Sequence, residues 1–123
     1  MDIESHLQAD RSPRSRIRRL AAWIREDPAR AHRIEQLADR AAMSTRSLSR
    51  LFIRETGLPP SRFVQQARVD LARRLLEHSG ARVAWVAQRA GFESAERMRR
   101  AFRRGLGMSP RDYASVGSGT MRR

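Results

Sequence analysis

Five arginines crowd one short segment near the C-terminal end of the chain, at Arg97, Arg99, Arg100, Arg103 and Arg104. A guanidinium group stays charged in proteins, and its planar fork of N–H donors pairs bidentately with a phosphate or with the O6 and N7 atoms of guanine. This chemistry is the recognition of an anion rather than the breaking of a bond. Apolar residues lie between the arginines, so the other side of the same helix must be anchored to a core. These residues are Met98, Ala101 and Phe102.

The charge of the whole chain points in the same direction. All 26 basic residues are arginine, against 13 acidic residues, which gives a formal net charge of +13. Such an excess favours nucleic acid or an anionic membrane surface as the partner. A genome rich in GC would account for the absence of lysine, but it does not account for the clustering of the arginines.

Several kinds of chemistry are excluded by the residues that the chain lacks. Its 123 residues include no cysteine, and His6, His32 and His78 lack the spacing of metal ligands. No nucleophile is paired with a base and no carboxylates cluster, so we expect neither an enzyme nor a bound metal or cofactor.

The apolar runs at 20–24 and 83–87 are too short to span a bilayer, and the N-terminus lacks the features of a signal peptide. We expect a cytoplasmic chain without a membrane partner.

Helical periodicity runs through the sequence, and no segment alternates long enough to predict a strand. Ser44 and Ser94 are suited to cap helices at their N-termini, and Gly57 and Gly107 to end them. The sequence therefore predicts an all-α fold of about seven helices. These run from Pro13 to about Glu26, over 34–41, over 44–57, from Pro60 to Gly80, over 83–90 and over 94–107, with a last short turn after Ser109 and Pro110.

Two expectations concern side chains of the fourth and fifth helices. Phe63, Ala67, Leu71 and Leu75 recur at helical spacing and predict the buried stripe of the fourth helix. Trp85 lies off the apolar stripe of its own helix. It either packs against the long fourth helix or is exposed where a further domain or another protein docks, and we favour packing.

The sequence contains an internal repeat. Residues 44–63 align with residues 94–113 at an offset of fifty, and six of the twenty aligned positions are identical. Upstream of the turn the offset is forty-nine, so the second copy has one additional residue at its turn. Each copy is a short helix, a tight turn and a second helix that is apolar on one face and basic or polar on the other. This pattern is typical of a helix-turn-helix.

The repeat predicts two helix-turn-helix subdomains joined by a long linker helix. The predicted division is a flexible N-terminus at 1–12, a first subdomain at 13–58, a linker helix at 59–79, a second subdomain at 80–114 and a flexible tail at 115–123.

A linker of this length suggests how two such subdomains would meet one duplex. About nineteen helical residues span roughly 28 Å, against a DNA turn of roughly 34 Å. The second helices of the two copies, at about 45–56 and 95–106, are therefore expected to enter successive major-groove segments. We expect a monomer to read an asymmetric site of roughly 15 to 20 base pairs.

The most specific motifs lie in the second copy, "VAWVAQRAGFESAERMRRAFRRGLGMSPRDY". They are an "A…GF" turn, an "R-x-F-R" run in the following helix and a closing "G-x-S-P…Y". With these motifs the chain, from about Ile17 to Tyr113, resembles the C-terminal DNA-binding domain of the AraC/XylS family of bacterial transcription regulators. It is most similar to the branch whose members carry an amidase-like N-terminal domain, which these 123 residues do not include.

The resemblance implies a sequence-specific regulator that binds double-stranded promoter DNA at the nucleoid. It implies RNA polymerase as a second candidate partner, no cofactor, and a DNA-binding domain that is monomeric by itself. Two alternatives stay open from the residues alone. One is the DNA-binding portion of a recombinase or transposase, and the other is a basic helical module that binds an acidic protein or surface without sequence preference.

Site residues carry over by position. Base-reading positions fall on Thr45, Arg46, Ser49 and Arg50 in the first recognition helix, and on Ala95, Glu96, Arg97, Arg99 and Arg100 in the second. Phosphate contacts are expected from Ser44, Arg54, Ser94, Arg103 and Arg104. Glu96 could accept a hydrogen bond from cytosine N4, or it could cap the helix and pair with its arginines. We favour the second role for Glu96.

Overall fold

The computed structural model describes residues 11–79 and 81–121. Within these ranges the chain forms seven α-helices and no strand, which confirms the predicted all-α class. The helices are α1 (Pro13–Glu26), α2 (Ile34–Arg40), α3 (Thr45–Thr56), α4 (Pro60–Ser79), α5 (Val83–Ala90), α6 (Ala95–Leu106) and α7 (Pro110–Met121). The predicted flexible ends fall outside the described residues at 1–10 and 122–123.

The boundaries of α3 and α6 arise from the residues that the sequence singles out. The hydroxyl oxygens of Ser44 and Ser94 each accept a backbone N–H from three residues further on, at 3.1 Å. Gly57 and Gly107 end the two helices in the left-handed conformation, with φ of +83° and +73°. Each helix therefore has twelve residues and the same cap at each end, so every position in α3 has a counterpart fifty residues later in α6.

The described chain divides into two compact units. The first contains residues 11–27 and 32–64, and the second contains residues 28–31 and the residues from Gln65 onward. Helix α4 begins in the first unit and continues in the second. A compact unit therefore surrounds each of the two helix-turn-helix repeats.

The first unit is built around the buried face of α3. Leu48 and Phe52 are fully buried, and the Phe52 ring meets the Phe63 ring edge to face with 5.0 Å between centroids. Helix α1 packs on α3 through four buried residues, and two of its arginines pair with Glu55 on α3 at 3.1 and 3.2 Å. The buried residues of α1 are Ile17, Leu20, Ala21 and Ile24.

The second unit repeats this arrangement around α6. Met98 and Phe102 are fully buried, and the Phe102 ring meets the Tyr113 ring of α7 at 6.1 Å between centroids. The Tyr113 hydroxyl donates a hydrogen bond to Glu77 and accepts one from Arg73 Nε at 3.2 Å. The remaining buried core residues are Val69, Ala72, Leu76, Val86, Ala87, Ala90, Phe92 and Ala101.

The turns of the two repeats differ by one inserted residue, as the change of offset predicts. The N–H of Met43 donates to Ala38 O at 3.0 Å, and the N–H of Phe92 donates to Ala87 O at 2.9 Å, so these turns match at an offset of forty-nine. The caps Ser44 and Ser94 match at fifty. Glu93 is therefore the additional residue.

Each turn passes through the left-handed conformation, but with a different residue. Ala42 has φ of +58° in the first turn, and Gly91 has φ of +95° in the second. The Arg16 guanidinium donates to the carbonyl oxygens of Ala41 and Ala42 at 3.1 and 3.0 Å, which supports the strained alanine from outside the turn.

The predicted stripe of α4 is correct only in its first half. Phe63 and Ala67 are buried, but Leu71 and Leu75 are half-buried, and Val69, Ala72 and Leu76 form the core instead. The core-facing stripe shifts around the helix because the first part of α4 packs in one unit and the rest in the other.

Two further expectations were wrong. Trp85 is 44% exposed rather than packed, and the Arg89 guanidinium lies 5.4 Å from its ring centroid. Helix α7 continues to Met121, whereas the sequence predicted only a short turn after Ser109 and Pro110. The Ser109 hydroxyl caps this helix at the N–H of Asp112, Pro110 opens it, and Tyr113 anchors its first turns to the core, so the segment begins as a helix rather than as an isolated turn.

We predict that Gly91→Ala destabilises the chain more than the matched variant Gly57→Ala. Both residues have positive φ, so an alanine costs about 1–2 kcal/mol at either position. A Cβ at Gly57 would meet nothing within 4 Å, whereas a Cβ at Gly91 would lie 2.6 Å from the Cα of Ala29. Overpacking against this backbone adds about 1–3 kcal/mol. Urea denaturation followed by circular dichroism measures both free energies of unfolding, and equal losses would contradict this account of the turn.

Candidate nucleic-acid interface

The outer face of α3 carries positively charged side chains that are accessible to a ligand. Arg46, Arg50 and Arg54 are exposed, and they form no ion pair with any residue that the structure describes. Thr45 is also exposed, whereas Ser49 is half-buried. Leu48 and Phe52 hold the opposite side of the helix in the core, so the helical period turns these residues outward.

The outer face of α6 is more basic, but its first three arginines are paired with glutamates. Arg97 Nε lies 3.2 Å from Glu93, the residue inserted in the turn. Arg99 and Arg100 lie 3.1 and 3.4 Å from the two carboxylate oxygens of Glu96. The pairing role that we favoured for Glu96 is therefore present in the free chain. Further along the helix, the side chains of Arg103 and Arg104 are exposed.

Three of these arginines converge beside one residue of α4. Arg97, Arg100 and Arg104 line a shallow depression of about 260 Å³ together with Gln65. The Arg104 guanidinium donates a hydrogen bond to the Gln65 side-chain oxygen. Gln65 was not among the predicted site residues, because no pattern within the repeat marks a single glutamine on the adjoining helix. Three guanidinium groups around one depression are suited to an anion such as a phosphate.

Other predicted site residues also have a structural role. The Ser44 and Ser94 hydroxyls accept hydrogen bonds as helix caps, which leaves each a hydroxyl proton to donate. Ala95 is half-buried and packs against the core of the second unit. The methyl group of Ala95 therefore lies at the border between the core and the outer face of α6.

The charge state of Glu96 follows from its partners. Its hydrogen bond with Arg99, reinforced by the charges of Arg99 and Arg100, lowers the pKa of Glu96 below its ordinary value. A carboxyl whose pKa is lowered on folding stabilises the chain above the pKa of the unfolded glutamate. That contribution is lost as the pH falls through the folded pKa. Near neutral pH the carboxylate is ionised and holds both arginines.

The described residues contain neither a cluster of metal-ligating side chains nor a membrane-spanning helix. No group of three or more histidine, aspartate or glutamate side chains among them is arranged to hold a metal ion. In the same part of the chain, no helix combines the length and the apolar character needed to cross a membrane.

The fold and the two basic outer faces define a pair of helix-turn-helix units suited to a polyanion. Residues 37–115 match the family model of the helix-turn-helix domain. The chain is 49% identical over 83 residues to the HTH-type transcriptional regulator Rv1931c of Mycobacterium tuberculosis, which covers 68% of this chain and 32% of the relative. It is 38% identical over 108 residues to the HTH-type transcriptional activator RhaS of Escherichia fergusonii, covering 88% of this chain and 39% of the relative.

Solved structures agree with this likeness. The DNA-binding domain of AdpA, a global transcriptional factor crystallised with a target DNA, is 40% identical with a TM-score of 0.77, covering 81% of this chain and 90% of that chain. The C-terminal domain of AraT, a response regulator from Geobacillus stearothermophilus, shares the fold with a TM-score of 0.76 at 24% identity, covering 82% and 84% of the two chains.

The chain belongs to the AraC-type family of helix-turn-helix DNA-binding domains. It spans about a third of the length of the curated relatives, at 32% and 39%. The activities of the whole relatives therefore involve segments that these 123 residues do not match.

We predict that the ionisation midpoint of Glu96, followed by carboxyl ¹³C NMR, lies below that of an ordinary glutamate. Arg99→Ala should raise the midpoint more than the matched variant Arg100→Ala, because the hydrogen bond with Arg99 is the largest cause of the lowered pKa. A larger change in Arg100→Ala would contradict the assignment of that bond.

Proposed function

We propose that this chain binds double-stranded promoter DNA sequence-specifically and thereby regulates transcription in the bacterial cytoplasm. In this proposal α3 and α6 each enter a major-groove segment of the same site. The observation that carries it is the pair of identically capped twelve-residue helices, each with a buried phenylalanine on one side and exposed arginines on the other. The AdpA domain, whose crystal structure contains a target DNA, supports it by likeness.

The proposed division of labour follows depth along each helix. The N-terminal turns of a recognition helix meet base edges, and later residues lie nearer the backbone. We propose base reading by Thr45, Arg46, Ser49, Arg50, Ala95, Glu96, Arg97, Arg99 and Arg100. We propose phosphate contacts by Ser44, Arg54, Ser94, Arg103 and Arg104.

The proposed site is asymmetric. At the matched outer positions the two helices carry different residues, such as Arg46 against Glu96 and Ser49 against Arg99. Two helices with different outer residues prefer different base pairs, so a single chain would read two unlike half-sites. In the proposed arrangement residues 59–79 act as the linker between the two reading units, and the domain works as a monomer with RNA polymerase as a further partner.

We predict that Arg46→Ala and Arg97→Ala each cost about 1–3 kcal/mol of specific binding and relax the preference at one base pair. Arg104→Ala should instead weaken binding to every sequence about equally, because Arg104 lies deep in α6 and would meet a phosphate. Selection from random DNA with each variant, followed by competition binding, separates the two patterns. If the three variants relaxed specificity alike, the proposed roles would be wrong.

We also predict that the affinity of the chain for DNA falls steeply as the salt concentration rises. If roughly six to ten arginines neutralise phosphates, affinity should fall by about 10³ to 10⁵ between 50 and 200 mM salt. Fluorescence anisotropy with a labelled duplex measures this slope, and a scrambled duplex serves as the control for sequence preference. Equal affinity for both duplexes at every salt concentration would support a general polyanion-binding module instead.

A further inference from the structure

One apolar side chain stands on the otherwise polar outer face of α3. Ile53 is 48% exposed although it lies in the middle of the helix's second half. It follows Arg46, Ser49 and Arg50 by seven, four and three residues, which places the four on one helical face. Its neighbour Phe52 is fully buried, and this fixes the rotation of the helix that turns Ile53 outward.

This spacing has a known use in DNA recognition. Homeodomain recognition helices read bases with four side chains at positions i, i+3, i+4 and i+7 of one face. The same four positions in α3 hold two arginines, a serine and Ile53. Ile53 directly precedes Arg54, at the depth where we propose phosphate contacts, but an isoleucine has no donor or acceptor to offer a phosphate or a base edge. The feature of the major groove that rewards an apolar side chain is the C5-methyl group of thymine.

We propose that Ile53 reads the methyl group of one thymine in the half-site bound by α3. This inference rests on the proposed function and adds a specificity-determining residue to it. The identical caps of α3 and α6 make Arg103 the counterpart of Ile53, and Arg103 is exposed on the outer face of α6. The two half-sites therefore differ at this position, and the requirement for a methyl group belongs to only one of them.

The test removes the methyl group from the DNA and the apolar group from the protein. The duplex is the site selected by the full chain from random DNA, and the α3 half-site is the one whose preference changes in Arg46→Ala. Each thymine of that half-site is replaced in turn by deoxyuridine. At one thymine the substitution should weaken binding by the intact chain about fourfold, which is the worth of burying one methyl group. For Ile53→Ala, thymine and deoxyuridine at that position should bind equally.

A matched variant controls for a general loss of affinity. Arg103→Ala alters the corresponding position of α6, and it should keep the discrimination between thymine and deoxyuridine while weakening binding overall. The inference is overturned if the intact chain binds every deoxyuridine duplex as well as the parent, if the α3 half-site contains no thymine, or if Ile53→Ala still discriminates. These outcomes leave the proposed function standing. A chain that shows no preference for its selected site over a scrambled duplex overturns both.

Discussion

The burial of one phenylalanine in the middle of α3 and of another in the middle of α6 determines which way the surrounding side chains point. Phe52 and Phe102 have no exposed surface, and a helix that buries one residue must turn the residues two positions away from it toward the opposite side. Arg50, Arg54, Arg100 and Arg104 lie two positions from these phenylalanines, so the packing turns them outward whether or not they also contact a neighbouring side chain. Burying such a side chain stabilises the fold by about 1.5–3 kcal/mol, more than most single surface contacts provide. Apolar packing thus positions charge, and the charged groups need contribute little to folding.

The same division explains how a domain with a net charge of +13 holds together. Repulsion among exposed charges is weakened by water and salt, whereas the cores contain no buried charged side chain within the described residues. Where arginines approach the backbone they stabilise it locally. Arg68 donates to Pro28 O and Arg30 O at 2.8 and 2.9 Å, and its partial burial lowers the pKa of its guanidinium. Part of the charge is thus used inside a unit rather than on its outer face.

Much of this architecture could be predicted from the sequence because its signals are local. Serine caps, glycine ends and apolar spacing act within a few residues, and the repeat made each half a check on the other. The predictions that failed concern residues whose surroundings are set by tertiary packing. Val69 and Leu76 replace Leu71 and Leu75 in the core because α4 packs in two units in turn, which periodicity along one helix cannot reveal. Gln65 was missed because it meets Arg104 only through folding, thirty-nine residues apart in sequence.

The glutamates beside α6 give its outer face a built-in set of counterions. An anion that binds the Nε edge of Arg97 competes with the Glu93 carboxylate, whereas one that binds Arg46 meets no paired carboxylate among the described residues. Added salt weakens the internal pairs of α6 together with any external contact, so the two effects partly cancel. We therefore expect the two repeats to respond unequally to ionic strength. Added salt should reduce the affinity of an anion for α6 less than it reduces the affinity for α3.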